Sequence, residues 1–124
     1  MKICTHEDLI AFKKSFKLAL IIFELSKDFP KEERYSLIDQ IRRSSRSVSA
    51  NIAEAYRKRQ YPKSFISKII DAEAEAAETQ VWIKYSCEFE YIDTKAAAPL
   101  ISEYDEIIRI LVSMRVNVSK WTFT

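Results

Sequence analysis

Hydrophobic residues recur every three or four positions along almost the whole chain, which is the period of an α-helix. The first segment carries one such stripe, made of Leu9, Phe12, Phe16, Ala19 and Phe23. Thr5 is a candidate N-cap with Asp8 three residues on. The helix has to end before Pro30, because the residue that precedes a proline is pushed out of the α region. Further apolar residues beside the stripe predict that this helix is covered on more than one side.

Three more segments show the same period. The second begins near Pro30, with Glu32 and Glu33 in its first turn, where carboxylates oppose the helix dipole. Its core stripe is Ile38, Ile41, Ser45, Val48, Ile52 and Ala55. The third opens at Pro62 with the stripe Phe65, Ile69, Ala72, Ala76, Thr79, Ile83 and Ser86. The fourth begins between Thr94 and Ala98 and carries Leu100, Tyr104, Ile107, Leu111, Met114 and Val118.

Four helices of about 20–28 residues, joined by short connections, predict an all-α fold with antiparallel, up-down-up-down helices in a four-helix bundle. A chain of 124 residues is expected to form a single domain, residues 1–124. Trp121 and Phe123 follow the last helix, either as a tail that folds back over the bundle or as an anchor on a second subunit.

The sequence contains no glycine, whereas about 7% is usual. Hairpin turns, phosphate-binding loops and strained catalytic elbows all depend on glycine backbone conformations. His6 is the sole histidine, so no His-based catalytic triad and no multi-histidine metal site can form within one chain. Glu75 and Glu78 lack the E-x-x-H partners of a carboxylate metal bundle. We therefore expect no enzymatic activity, no metal and no cofactor.

Cys4 and Cys87 are far apart and show no C-x-x-C spacing, which is typical of free thiols in a reducing compartment. The N-terminus has no signal-peptide pattern. The longest uncharged apolar run, residues 18–23, is far below the length of a membrane span. These features predict a soluble cytoplasmic protein with no membrane partner.

Charge is unevenly distributed although the net charge is only +2. Residues 40–63 contain seven bases against a single acid, Glu54. The bases are Arg42, Arg43, Arg46, Arg57, Lys58, Arg59 and Lys63. Residues 71–90 contain six acids against a single base, Lys84. The distribution of these charges therefore says more about partners than their sum.

Three interpretations of the basic segment follow. The charges of helices two and three offset one another as surface ion pairs within the chain. Alternatively, Arg42, Arg46 and Arg57 meet the acidic face of a second subunit in a head-to-tail ring. In the third interpretation the bases form a phosphate-binding surface, with Tyr56 or Tyr61 available for stacking.

The serines of helix two have a structural interpretation. Ser44, Ser45 and Ala55 are small enough to allow close helix approach, and a mid-helix serine can return its hydroxyl to the carbonyl four residues back. A buried Asn51 has to bond across to another helix, which fixes register or partner choice. A functional contact is the alternative role for Asn51.

Several segments together resemble a known family. They are FP at 29–30, QIRRSSRSVSANIAEAYRKR at 40–59, FISKIIDAEAEAAETQVWI at 65–83 and FEYI at 89–92. They are similar to the bacterial four-helix bundle proteins that include those encoded within intervening sequences of 23S rRNA genes. The accessory proteins of diversity-generating retroelements are more distantly similar. The most specific match is Gln40, Arg43, Ser47, Asn51, Ile52, Ala53, Glu54 and Arg57.

The chain departs from this family's pattern at three places. Ala55, the pair Ala74 and Glu75, and Glu90 stand where the family usually has glycine or a glycine–serine pair. At those places a side chain larger than glycine affects how closely the chain can pack against its neighbours.

The resemblance implies a homo-oligomeric ring, a pentamer, with no established enzymatic activity and with a link to RNA. Its retroelement relatives are basic rings that bind nucleic acid and a reverse transcriptase. The resulting hypothesis is a non-catalytic protein that binds RNA or DNA phosphates through the seven bases of residues 40–63. Ser47, Asn51 and Glu54 are expected in structural or interface roles. The alternative is a homo-oligomeric scaffold for a protein partner, in which the basic and acidic faces serve subunit assembly.

Overall fold

The computed structural model describes residues 2–123 and contains four long α-helices. They are α1 (Ile10–Ser26), α2 (Leu37–Arg57), α3 (Pro62–Glu88) and α4 (Thr94–Val116). Three short 3-10 helices accompany them, at His6–Asp8, Lys31–Glu33 and Val118–Lys120. Over residues 2–123 there is no β-strand, so the predicted all-α four-helix bundle is confirmed.

Side-chain contacts between neighbouring helices give their relative direction. Two pairs join α2 to α3 and two join α3 to α4: Ser44–Thr79, Asn51–Lys68, Gln80–Asp105 and Glu73–Arg115. In each case the residue number of one partner falls as that of the other rises, so α3 runs antiparallel to both α2 and α4. The 3-10 helix Lys31–Glu33 lies in the connection from α1 to α2.

The core is built largely from the stripes that the sequence predicts for α3 and α4. All seven α3 residues of the predicted stripe are buried, and so are the five residues of the fourth stripe that lie in α4; its last residue, Val118, lies in the following 3-10 helix and is partly buried. Small side chains are buried on both α2 and α3, namely Ser44, Ser45, Ala55, Ala72 and Ala76. They let the two backbones approach closely, and large side chains such as Phe65 and Tyr104 fill the rest of the core.

The stripe predicted for α1 was wrong by one residue. The residues that α1 buries are Ala11, Ser15, Leu18, Ile22 and Ser26. Phe16, which belongs to the predicted stripe, is 51% exposed, and Phe12 and Phe23 are only partly buried. Two apolar stripes lie side by side on this helix, and the one with smaller residues faces the core because it allows closer packing. The prediction that α1 is covered on more than one side is met only in part, because Phe12 and Phe23 are partly buried whereas Phe16 is half exposed.

Helix α2 starts seven residues later than Pro30. Its first residue is Leu37, and Pro30 instead precedes the 3-10 helix Lys31–Glu33. The Glu33 carboxylate accepts hydrogen bonds from the Ser36 hydroxyl at 2.6 Å and from the Leu37 N–H at 3.4 Å. Glu33 therefore caps α2 from outside the helix, where the sequence had placed it in the first turn.

Local signals in the sequence located the starts of α3 and α4 correctly. Pro62 is the first residue of α3, and α4 begins at Thr94, inside the predicted range, with the Asp93 side chain accepting the Ala96 N–H. Thr5 and Asp8 form a capping box, in which each side chain bonds the backbone near the other, but this box caps the 3-10 helix His6–Asp8 instead of α1. Leu9, whose backbone is extended, separates the two helices.

The C-terminus of α3 contains a conformation that normally requires glycine. Glu90 has φ of 63°, in the left-handed region. The N–H of Tyr91 reaches the Ser86 carbonyl at 2.9 Å and the N–H of Glu90 reaches the Cys87 carbonyl at 3.0 Å. This is a Schellman motif with glutamate at the position that glycine usually occupies. The departure noted in the sequence is therefore a site of backbone strain.

The C-terminal residues fold back onto the bundle, as one of the two sequence alternatives has it. Trp121 packs against the core, and the Phe123 N–H donates to the Arg59 carbonyl at 3.1 Å. These contacts place Phe123 beside the connection between α2 and α3.

Candidate nucleic-acid interface

Arg43 is held by acids of the same chain. Its guanidinium reaches the two carboxylate oxygens of Glu75 at 2.9 and 3.1 Å, and it also contacts Glu78. The Glu75 hydrogen bond is the main reason that the pKa of Arg43 lies above its usual value. The bidentate geometry makes this pair the strongest case of the internal ion pairing that the sequence suggested.

Arg42 and Arg46 both lie beside α1 and contact the ring of Phe23. The Arg42 side chain donates to the Ser26 hydroxyl at 2.8 Å, and its guanidinium lies 4.5 Å from the centre of the Phe23 ring. Arg42 is therefore bound to the C-terminal turn of α1. Arg46 is exposed and lies 5.9 Å from the same ring centre, with no ion pair to any residue of the range 2–123.

Asn51 and its neighbours link α2 to α3 at a half-buried position. The Asn51 amide donates to the Ser47 carbonyl at 2.9 Å, and its oxygen accepts from the Lys68 ammonium at 3.5 Å. Glu54 contacts the same ammonium at 3.4 Å. Asn51 thus makes the cross-helix bond expected of a structural residue, and Glu54 is paired with a base that the sequence analysis did not single out.

Arg59 is stacked between two aromatic rings. Its guanidinium carbon lies 3.6 Å from the centre of the Tyr56 ring and 4.7 Å from that of Phe123, and its Nε–H donates to the Tyr56 carbonyl. This arrangement ties the C-terminal residues to the end of α2. It also leaves Tyr56 buried, so this ring is not available to stack on a base.

Three of the candidate bases differ from the other four. They are Arg57, Lys58 and Lys63, which we call the basic end. They lie in the last turn of α2, at its C-cap and in the first turn of α3. All three are exposed, and none forms an ion pair with a described residue. Tyr61, in the turn between them, is 62% exposed. The basic end therefore combines unpaired cations with an accessible ring.

The structure thus divides the seven bases into groups. Arg42, Arg43 and Arg59 are engaged within the chain, whereas Arg46 and the basic end point to solvent without an acidic partner among residues 2–123. Whether any of them contacts nucleic acid stays a prediction.

Sequence reasoning missed one buried polar contact. The Thr79 and Ser44 hydroxyls lie 2.8 Å apart and join α3 to α2 inside the core. Ser44, Ser45 and Ser49 return their hydroxyls to the carbonyl three residues back, not four, as Ser45 does to Arg42 at 3.1 Å. The signal available was the alignment of a serine and a threonine on facing stripes, which needs the register of the two helices to be known.

Residues 2–123 contain no group of three or more His, Cys, Asp or Glu side chains arranged to hold a metal ion. Cys4 and Cys87 are free. No helix in this part of the chain has both the length and the apolar character needed to cross a membrane.

Comparison with known proteins gives a family and a fold. The family model for the 23S rRNA-intervening sequence protein matches residues 7–113. A crystal structure of a protein of unknown function from the S23 ribosomal protein family, from Bacteroides thetaiotaomicron VPI-5482, is 31% identical. The match covers 87% of this chain and 96% of that one, with a TM-score of 0.78. Among curated proteins, none matches this chain.

Proposed function

Since the chain belongs to the family of 23S rRNA-intervening sequence proteins, we propose that it is a non-catalytic cytoplasmic protein that binds RNA or DNA phosphates through the basic end. The observation that carries this proposal is the contrast within the seven bases. Arg57, Lys58 and Lys63 remain exposed and unpaired, while Arg43 is held by two acids of its own chain. Unpaired cations are the groups that can neutralise phosphates and release counterions.

Arg46 and Tyr61 extend this surface. Arg46 lies three helical turns before Arg57 on the outward side of α2, and Tyr61 offers a half-exposed ring of the kind on which unpaired bases stack. Arginine suits this task because its planar fork matches phosphate geometry. A single-stranded or looped nucleic acid would use both the cations and the ring.

The test is binding to a structured RNA and to a duplex DNA across a salt series. The variant with Arg57, Lys58 and Lys63 all replaced by Glu is compared with one in which Lys31, Arg34 and Lys95 are replaced. The second set is also exposed, also contains one arginine and two lysines, and lies at the opposite end of the bundle. Both variants change the net charge equally.

We expect the first variant to lose binding at least a hundredfold and the second to lose much less. If all three bases contact phosphates, the log–log salt slope should fall by about 2–3 on their removal. Equal losses in the two variants would show that only net charge matters. No binding at low salt by the unaltered protein would overturn the proposal.

A second candidate function is a homo-oligomeric scaffold for a protein partner, and the surface of α1 favours it. Ile10, Phe16 and Leu20 are each more than half exposed, which is unusual for large apolar residues on one helix. A ring, with a pentamer as the expected size, would cover such a surface. Sedimentation of the protein and of Phe16→Glu measures this directly. An oligomer that dissociates in this variant supports the scaffold, and a monomeric unaltered protein refutes it.

A further inference from the structure

Half-exposed aromatic rings surround a groove at the end of the α2–α3 pair that is opposite to the basic end. This aromatic groove has a volume of about 410 Å³ and is lined by Glu33, Leu37, Gln40, Trp82, Tyr85 and Phe89. The Tyr85 ring centre lies 6.0 Å from that of Trp82 and 5.6 Å from that of Phe89. Tyr85 and Phe89 are each about half exposed. Exposed rings clustered in this way are not needed for the core and are typical of binding surfaces.

A fixed carboxylate lies at one side of the aromatic groove. Glu33 accepts hydrogen bonds from the hydroxyls of Ser36 at 2.6 Å and Tyr91 at 2.8 Å. These bonds, that from Ser36 most of all, hold the pKa of Glu33 below its usual value. No basic side chain among residues 2–123 forms an ion pair with it. Glu33 is therefore ionised, oriented and not neutralised.

A second carboxylate, Glu78, contacts the groove through Trp82. The Trp82 indole N–H donates to Glu78 at 3.2 Å, which fixes the ring. Glu78 and Glu75 share the single guanidinium of Arg43. Beyond Trp82, two carboxylates therefore share one base.

Rings beside an uncompensated carboxylate form a site for a cation that also stacks. A guanidinium meets both requirements, because it pairs with a carboxylate through its N–H groups and packs its flat face on an aromatic ring. We propose that the aromatic groove binds an arginine side chain presented by an extended segment of a partner protein. This site is independent of the basic end and of the function proposed for it.

The size of the groove argues for an extended segment and against α2 of a second copy. A volume of about 410 Å³ holds a long side chain with its adjoining backbone. It does not hold a helix, whose diameter with side chains is about 10–12 Å. Arg46 and Arg57, the arginines of α2 without an ion pair among the described residues, both project from a helix.

The two tryptophans of the chain provide the assay. The indole N–H of Trp82 lies at the aromatic groove, whereas Trp121 lies at the far end of the bundle and reports non-specific effects. The ¹⁵N-labelled protein is titrated with acetyl-Ala-Arg-Ala-amide and, separately, with the same peptide carrying citrulline. Citrulline has nearly the shape of arginine but no charge. The titration extends to about 20 mM, because a single side chain is expected to bind with a Kd near 1 mM.

We expect a saturable shift of the Trp82 indole signal with the arginine peptide, no shift with the citrulline peptide and no shift of Trp121. Glu33→Gln should weaken binding roughly tenfold, as loss of one charge-assisted pair does. Glu88→Gln, an exposed acid outside the groove at the same end, should leave it unchanged. Tyr85→Ala, at a half-exposed ring, should also weaken binding while leaving the core intact.

Three results would overturn the proposal. The first is the absence of a Trp82 shift with the arginine peptide. The second is an equal shift with the citrulline peptide, which would mean apolar contact without charge recognition. The third is a Trp82 signal that changes on dilution of the protein alone and stops doing so in Arg57→Glu, because the occupant would then be a second copy of the chain.

Discussion

The basic end and the aromatic groove lie at opposite ends of the α2–α3 pair and are built in opposite ways. At the basic end, Arg57, Lys58 and Lys63 are exposed and have no acidic partner in the described part of the chain. At the aromatic groove, the polar side chains described above form hydrogen bonds within the chain, as the bond from Tyr91 to Glu33 illustrates. A proposed binding surface can therefore consist of side chains that are free in solvent or of side chains that bonds within the chain hold in place, and the second kind also contributes to stability.

The largest expected effect comes from removing one tyrosine at each end. Tyr91→Ala deletes ring contacts to Phe29 and Phe89 and the bond to Glu33, so we expect a loss of about 2 kcal/mol. Tyr61→Ala, at the basic end, removes an exposed ring and should cost less than about 0.5 kcal/mol. Urea unfolding of both variants measures the difference. Equal losses would show that the contacts of Tyr91 add no more stability than an exposed ring does.

A glycine substitution sharpens the same contrast at the level of the backbone. Glu90→Gly relieves a left-handed conformation and should stabilise the protein by about 1 kcal/mol. Gln60→Gly, in the turn at the basic end, is the control. Among the described residues Glu90 alone has a positive φ, so glycine relieves no left-handed conformation at Gln60. There the added freedom of the unfolded chain should cost about 0.5–1 kcal/mol. Thermal unfolding of the two variants should therefore shift in opposite directions.

Two arginines of α2 provide a smaller test. Arg43→Ala breaks the contact with Glu75 and Glu78 and leaves two carboxylates side by side. Because the Arg43 side chain is 47% exposed, solvent screening limits the loss to about 0.5–1 kcal/mol. Arg57→Ala should be neutral within about 0.5 kcal/mol. The Arg43 effect should shrink as salt is raised, and an effect insensitive to salt would contradict its assignment to ion pairing.

The smallest expected effect is a pH dependence from Glu33. Its pKa is lowered in the folded protein, chiefly by the Ser36 hydroxyl, from an ordinary value of 4.5. The ionised group therefore contributes stability above pH 4.5, and this contribution is lost as the pH falls through the folded-state pKa. Glu33→Gln should melt below the unaltered protein at pH 7, and the two melting temperatures should converge in acid. A gap that widens in acid would reverse the sign of this assignment.

Much of the fold was determined by local sequence signals. The stripes of α3 and α4, the start of α3 at Pro62 and the start of α4 at Thr94 all appear as predicted. These features depend on residues a few positions apart, since helical period and proline geometry act within one or two turns. The resemblance to the family, not a local signal, marked Glu90 as standing where glycine is usual, and the structure has a positive φ there.

The candidate site was predictable only as a set of seven bases. Which of them remain available depends on residues 16 to 35 positions away, because Arg42 meets Ser26 and Arg43 meets Glu75 and Glu78. The side chains of the basic end lie where the chain turns from α2 to α3, and none of them forms an ion pair with a described residue. Composition and spacing carry no information on that arrangement.

The sequence by itself determined that four helices form and which residues of α3 and α4 face the core, because periodicity shows which residues share one face of a helix. Tertiary structure decided which of two adjacent apolar stripes α1 buries, because that depends on how closely the small side chains Ala11 and Ser15 let it approach the bundle. It also decided that α2 starts at Leu37, where Glu33 caps the helix and is bound by Tyr91 from 58 residues away. Contacts of this range form only after the helices have packed.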